Sequence, residues 1–294
     1  MSNPVPFVGA GVALVTPMHS DGRVNYEKYR ELVEYQIQNG TDAIIAVGTT
    51  GEAPTLEDDE HLRAFEVAID QTAHRVPMIA GTGSNNTDHC IYMSREAKAM
   101  GADGLLLVTP YYNKTSQRGL IQHYTKIAAA VDLPIILYNV PSRTGVNLQP
   151  KTVAELSKIP NIVGLKQANG NMSETAEIAA LCDIAIYSGN DDQIVPILSL
   201  GGKGVISVLS NVLPKETHDI CQAWFDGDVQ QSLDLQLQFL ELANALFMDV
   251  NPIPVKEAMN QMGMDVGQCR LPLYEMTDAM KQRMAEVLKR YHLI

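Results

Sequence analysis

Cysteine is scarce in this chain, and the four present, Cys90, Cys182, Cys221 and Cys269, lie far apart with no C-x-x-C pair. That spacing fits reduced thiols rather than a disulfide frame. Positive charge is also short. The 22 lysines and arginines stand against 34 acidic residues, and a net charge of −12 excludes a nucleic-acid groove or an anionic membrane surface as partner. Histidine clusters are missing: positions 19, 61, 74, 89, 123, 218 and 292 show no H-x-H, H-x3-H or H-E-x-x-H spacing, so no metal site is expected. There is no G-x-S-x-G elbow for Ser/His/Asp hydrolysis. No apolar run approaches the roughly 20 residues of a membrane span. The start, Met1-Ser2-Asn3-Pro4-Val5-Pro6, lacks the basic and apolar parts of a signal peptide. The expectation is a soluble cytoplasmic protein.

What the chain does have is a regular alternation. Apolar runs of strand length recur at 11–16, 43–48, 77–82, 104–109, 134–139, 162–167, 185–190 and 204–209. They are rich in Val, Ile and Leu and mostly do not alternate with polar residues, as expected of parallel strands covered on both faces. Helical periodicity fills segments between them, at 26–39, 57–73, 87–100, 119–131 and 151–158. The strand starts are spaced by roughly 20 to 35 residues, the length of one βα unit. Eight units predict an α/β protein of the (β/α)8 TIM-barrel class over 1–225. From about Val212 the strand signal stops, and 215–224, 229–247, 253–262 and 277–291 read as helices. The first completes the barrel; the rest form a C-terminal helical extension, 226–294.

A doubly wound open sheet also alternates strands and helices, but it calls for a glycine-rich phosphate turn after its first strand. Here that strand runs into Thr16-Pro17-Met18. The stretch Gly81-Thr82-Gly83-Ser84-Asn85-Asn86 lacks the third glycine, and Gly201-Gly202-Lys203-Gly204 precedes a strand, where a tight αβ turn is the simpler reading.

In a barrel the chemistry gathers at the C-terminal ends of the strands. Those ends carry mostly hydroxyls and one lysine, Lys166, which closes Ile162-Val163-Gly164-Leu165. Taken alone, Lys166 can be read as a side chain that snorkels to solvent. That is the simpler reading of the residue by itself; the rest of the chain favours a desolvated amine, depressed from a pKa of about 10.4 and so a nucleophile toward carbonyls. Tyr138 ends the neighbouring strand, about 4.8 Å away, where a phenol can shuttle protons for a carbinolamine or imine. Thr16 and Thr82 read as turn chemistry.

Three stretches carry a resemblance: Gly48-Thr49-Thr50-Gly51-Glu52, Tyr138-Asn139-Val140-Pro141-Ser142-Arg143-Thr144-Gly145, and Lys166. The chain resembles the lysine Schiff-base barrels of the dihydrodipicolinate synthase and N-acetylneuraminate lyase family. The likeness runs nearly end to end, through Thr109-Pro110-Tyr111-Tyr112-Asn113, Gly204-Val205-Ile206-Ser207-Val208 and Asn251-Pro252-Ile253-Pro254-Val255-Lys256. It implies a lyase that joins pyruvate to aspartate 4-semialdehyde through a covalent imine on Lys166, without a cofactor. Tyr138, Thr49 and Tyr112 match a proton relay, the last reaching in from a neighbouring subunit. Thr50 and the backbone at Ile206 match the holders of the pyruvate carboxylate, and Arg143 matches the receiver of the second substrate. A homo-oligomer is implied, a tetramer of dimers ahead of a dimer. Cleavage of a sialic or keto-deoxy-sugar acid on the same imine, or a silent metabolite-binding barrel, are the alternatives.

The chain departs from the family pattern in two respects. Gln167 stands where an acidic residue usually follows the lysine. Around the site that binds lysine in inhibited members, Ala53, Pro54, Asp58, His61, Asn85 and His89 occupy the matching positions, with His89 in place of a glutamate. The resemblance therefore implies weak feedback by lysine or none.

Overall fold

The computed structural model describes residues 5–294; residues 1–4, on which the expectation of no signal peptide partly falls, lie outside the described residues. Every expected apolar run supplies a strand: β1 (Gly9–Ala13), β2 (Ala43–Ala46), β3 (Met78–Gly81), β4 (Gly104–Val108), β5 (Ile135–Asn139), β6 (Ile162–Gln167), β7 (Ala185–Ser188) and β8 (Gly204–Ser207). They pair in parallel, in chain order, and β8 returns to β1 to close the barrel. Several strands stop short of the expected end because the chain turns into a βα loop. Val47 does so with φ 51°, a left-handed backbone no strand tolerates. β1 begins earlier than expected because Gly9 is needed to pair with Gly204.

That seam depends on two glycines. A Cβ at Gly204 would lie 1.8 Å from the Gly9 carbonyl oxygen, and one at Gly9 would lie 2.0 Å from the Asp42 carboxylate. Asp42 uses the freed space: one oxygen accepts from the Ala10 N–H at 2.7 Å and lies 2.8 Å from His218 Nδ1. His218 belongs to the last barrel helix, so first strand, second strand and last helix meet at one carboxylate.

The helices α1 (Tyr26–Gln38), α2 (Asp58–Thr72), α3 (Thr87–Met100), α4 (Gln117–Ala130), α5 (Pro141–Thr144), α6 (Pro150–Leu156), α7 (Met172–Leu181), α8 (Ile194–Ser199) and α9 (Pro214–Phe225) alternate with the strands. Asn25, Asn86, Ser116 and Asn171 cap α1, α3, α4 and α7 with side-chain oxygens that accept first-turn N–H groups. Inward residues such as Ile45, Ile79, Leu106, Ile136, Tyr187 and Ile206 fill the lumen, while the outer faces join a larger core beneath the helices. Beyond the barrel lie α10 (Val229–Gln238), α11 (Leu240–Ala245), α12 (Ile253–Gln261) and α13 (Asp278–Arg290). Leu242, Leu246, Val255, Met259 and Leu288 from this region share the outer core with Val12 and Leu14 of the barrel. The segment 229–247, continuous by its periodicity, breaks at Phe239, which is buried and rests on Tyr291. No Gly or Pro marks the break. Among the described residues no helix is long and apolar enough to cross a membrane.

Candidate active site

The C-terminal strand ends form one rim, and β5 and β6 set its centre. Their register places Tyr138 opposite Lys166 and Asn139 opposite Gln167. Because strand residues alternate in direction, one pair faces the lumen and the other faces outward. Lys166 Nζ lies 4.4 Å from the centroid of the Tyr138 ring, and both residues are buried. Burial pulls the Lys166 amine down to about 8, since an ammonium there loses its hydration. Burial also pushes the Tyr138 phenol up, while Arg143 and the Thr49 hydroxyl pull it partly back. On the outward side Asn139 Nδ2 donates to Gln167 Oε1 at 2.9 Å and to Asn147 Oδ1 at 2.8 Å, and Asn139 Oδ1 accepts from Leu148 N–H. The departure at Gln167 therefore falls outside the lumen. Its amide oxygen pins the register in which the inner pair meets.

The turn after β2 carries Thr49 and Thr50, and it is tightly wound. Val47 and Glu52 bracket it with φ of 51° and 59°, and a Cβ on Gly51 would come within 2.8 Å of Val47 Cα. Strain of that kind persists only where the surroundings hold it. Here the hold is a buried ion pair. Lys256 Nζ donates to Glu52 Oε1 at 2.8 Å, to the Thr16 carbonyl at 3.0 Å and to the Gln268 carbonyl at 2.8 Å. The second Glu52 oxygen accepts from the Arg270 N–H at 2.8 Å, and the Arg270 guanidinium forks onto Glu60. The C-terminal helices thus grip the turn that presents the two threonines.

Arg143 rides on α5, a single helical turn opened by Pro141 and ended by Gly145 at φ 68°. It donates to the carbonyl of Asn251 at 3.0 Å, and Asn251 Nδ2 donates to Thr50 Oγ1 at 3.1 Å. Asn251 therefore bridges two of the expected substrate-binding residues, and its buried Oδ1 has no partner. Neither Asn251 nor Lys256 was singled out by residue chemistry. Their only signal was the Asn-Pro-Ile-Pro-Val-Lys stretch, whose partners in the turn after β2, Thr50 and Glu52, lie 201 and 204 positions away.

A cavity of about 410 Å³ opens at this rim. Thr49, Tyr138 and Arg143 line it together with Ala53, Pro54, Asp58, His61 and His89. Thr50, Lys166 and Ile206 are not on its wall, and Lys166 adjoins it through Tyr138. Ile206 fills the lumen on β8, fully buried and paired with Gly11. Tyr112 does not join the others: it is 92 % exposed, on a backbone at φ 67°. Asn85 also stands apart and donates to the Tyr111 carbonyl. His89 Nε2 lies 3.0 Å from Asp58 Oδ1, so the acid in this part of the cavity is already engaged. His61 is buried against the Gly81 carbonyl, its pKa lowered to about 4 by burial, and is neutral. Among the described residues no three His, Cys, Asp or Glu side chains converge as a metal set.

A family model described as the dihydrodipicolinate synthetase family matches residues 6–291. A curated relative from Caldicellulosiruptor saccharolyticus, named 4-hydroxy-tetrahydrodipicolinate synthase, is 56% identical over 97% of this chain and 97% of its own. Among solved structures, the chloride-inhibited dihydrodipicolinate synthase of Acinetobacter baumannii complexed with pyruvate superposes with a TM-score of 0.95 at 45% identity, covering 98% of this chain and 99% of that one. A variant described as the first monomeric dihydrodipicolinate synthase also gives 0.95, at 40% identity and 98% coverage of both chains.

Removing one member of the Glu52–Lys256 pair leaves the other charge buried alone. Lys256→Met should destabilise the protein by about 3–5 kcal/mol, measured by urea denaturation, and Glu52→Gln added to it should recover a good part of the loss. Wild-type stability in Lys256→Met would remove the pair from its structural role.

Proposed function

The chain belongs to the dihydrodipicolinate synthetase family, and from that membership we propose that it condenses pyruvate with L-aspartate 4-semialdehyde to 4-hydroxytetrahydrodipicolinate and water. This is the step that opens the diaminopimelate branch toward lysine. The observation that carries the proposal is the Tyr138–Lys166 register, which sets a desolvated amine against a phenol at the barrel rim.

The neutral Lys166 nitrogen attacks the ketone carbon of pyruvate to give a carbinolamine. Tyr138 supplies the proton with which its hydroxyl leaves as water, and the nitrogen becomes an iminium. Loss of a methyl proton gives an enamine, whose carbon bonds to the aldehyde carbon of the second substrate; the aldehyde oxygen becomes the 4-hydroxyl. The amino group of that substrate then adds to the former ketone carbon and displaces Lys166, closing the ring. One water is released in all. No cofactor is needed, because the lysine nitrogen itself accepts the electron pair. Thr50 and the backbone near Ile206 hold the pyruvate carboxylate, and Arg143 at the mouth takes the carboxylate of the semialdehyde, a task its planar fork suits. Tyr112, exposed in the single chain, completes the relay with Thr49 and Tyr138 in a second copy's site. The working form is therefore a homo-oligomer, a tetramer built from dimers, in the cytoplasm.

Borohydride with pyruvate should add one reduced pyruvyl group to the peptide that contains Lys166, and none in Lys166→Ala. Capture at another lysine would sink the mechanism. Since only the neutral amine attacks, kcat/KM for pyruvate should rise with pH through about 8 and level off above it. Arg143→Ala should raise KM for the semialdehyde at least about tenfold, the range of a lost charge-assisted contact, and leave that for pyruvate nearly unchanged. Equal effects on both would make Arg143 a structural part of α5. Finally, Lys166→Ala and Tyr112→Phe chains, each nearly inactive alone, should regain activity when mixed and allowed to exchange subunits. A hybrid pair carries one site with both native residues; no recovery would confine Tyr112 to its own chain.

A further inference from the structure

Apart from His61 and His123, whose pKa values near 4 leave them neutral, the described residues bury four ionisable acid or base side chains of lysine, aspartate or glutamate: Lys166, Lys256, Glu52 and Asp191. Two of them are mated, since Lys256 and Glu52 meet at 2.8 Å. Lys166 and Asp191 remain. A buried charge without compensation is among the costliest features a fold can carry, so the two leftovers, of opposite sign at one rim, have to be considered as a pair.

Asp191 follows β7 by three residues and is 6 % exposed. Its Oδ2 accepts from the N–H groups of Val208 at 3.0 Å and Leu209 at 2.9 Å, which anchors it to the loop leaving β8. Its Oδ1 is fully buried and has no partner. The loop leaving β7, which carries Asp191, forms a wall of the lysine's slot: a Cβ on Gly189, two residues before Asp191, would lie 3.2 Å from Lys166 Cε. We propose that Asp191 is the fixed counter-charge of the Lys166 nitrogen, present to stabilise the iminium over the neutral imine during turnover. This rests on the reading of Lys166 as the imine-forming residue.

The chemistry locates the need. When the carbinolamine C–O bond breaks, hydroxide departs with the Tyr138 proton as water, and the nitrogen lone pair closes the C=N bond and leaves nitrogen positive. A fixed anion nearby lowers the energy of that state, and electron withdrawal from the methyl carbon depends on it. Other groups around Asp191 do not replace it. Ser207 of β8 is a neutral hydroxyl that favours the carboxylate form, Gln236 of α10 donates only to the Asp191 backbone carbonyl, and Cys221 of α9 is a thiol held protonated by burial. On the lysine side, Arg143 opposes a positive nitrogen and Tyr138 is neutral. Burial is the main influence on both members of the pair; against it, Asp191 raises Lys166 and Lys166 lowers Asp191.

Asp191→Asn tests this, because the amide keeps an oxygen for Val208 and Leu209 and loses only the charge. The rising limb of kcat/KM for pyruvate should move to lower pH by about one unit, and the fraction of enzyme trapped by borohydride at saturating pyruvate should fall severalfold. Asp191→Glu should keep the wild-type limb. Turnover that drops at every pH with the limb unmoved would reduce Asp191 to a loop clamp and overturn the proposal. If Asp191→Asn does not fold, Ser207→Ala serves instead: it removes a hydroxyl that favours the carboxylate form, so its limb should move the same way by less, and an unmoved limb overturns the proposal equally. Failure of wild-type enzyme to trap pyruvate at Lys166 is a separate outcome. It would remove the parent reading first and this one with it.

Discussion

Closure of the sheet between β1 and β8 is the contact on which the rest of the molecule depends. It requires two backbones to approach where neither can carry a side chain, at Gly9 and Gly204. Once the ring is shut, every strand has an inside and an outside. An inward lysine at a strand end then has nowhere to place its ammonium except a crowded lumen. Lys166 owes its depressed pKa to this enclosure. The same closure gives Tyr138 and Lys166 one relative position, since a register slip would turn one of them outward.

Charge burial then organises the rim. The Glu52–Lys256 pair holds a backbone turn that steric preference alone would relax, and Thr49 and Thr50 are presented as a result. Such pairs contribute little net stability, because desolvation offsets the attraction. Their value here is in geometry: one ammonium fixes the Thr16 carbonyl, the Glu52 carboxylate and the Gln268 carbonyl together. The C-terminal helices are thus part of the site, with Asn251 joining Thr50 to Arg143. The same cavity that Thr49 and Tyr138 line is also lined by His61, His89 and Asp58.

Much of this was legible in the order of residues. Parallel barrel strands are covered on both faces, so they appear as unbroken apolar runs, and βα units keep a regular spacing; eight runs with helices between them leave few other folds. Lys166 and Tyr138 stood out because each puts a polar group at the end of such a run. The strand ends were less legible. Whether Val47 continues β2 or turns away depends on loop strain, which periodicity does not record. The break at Phe239 was hidden too, since no Gly or Pro marks it and the apolar period runs through it.

The linear pattern by itself determined the fold class, the strand that bears the amine and its neighbour with the phenol, because these follow from local hydrophobicity and from adjacency in chain order. Only the tertiary structure decided that Gln167 faces away from the lysine, that Asn251 and Lys256 belong to the rim, that Tyr112 stands outside its own chain's site, and that Asp191 and Lys166 are the unmated buried charges. Each of these depends on side chains brought together from distant positions. A charge's cost, and therefore its partner, is set by how much water the completed fold removes around it, and that quantity does not exist until the barrel has closed.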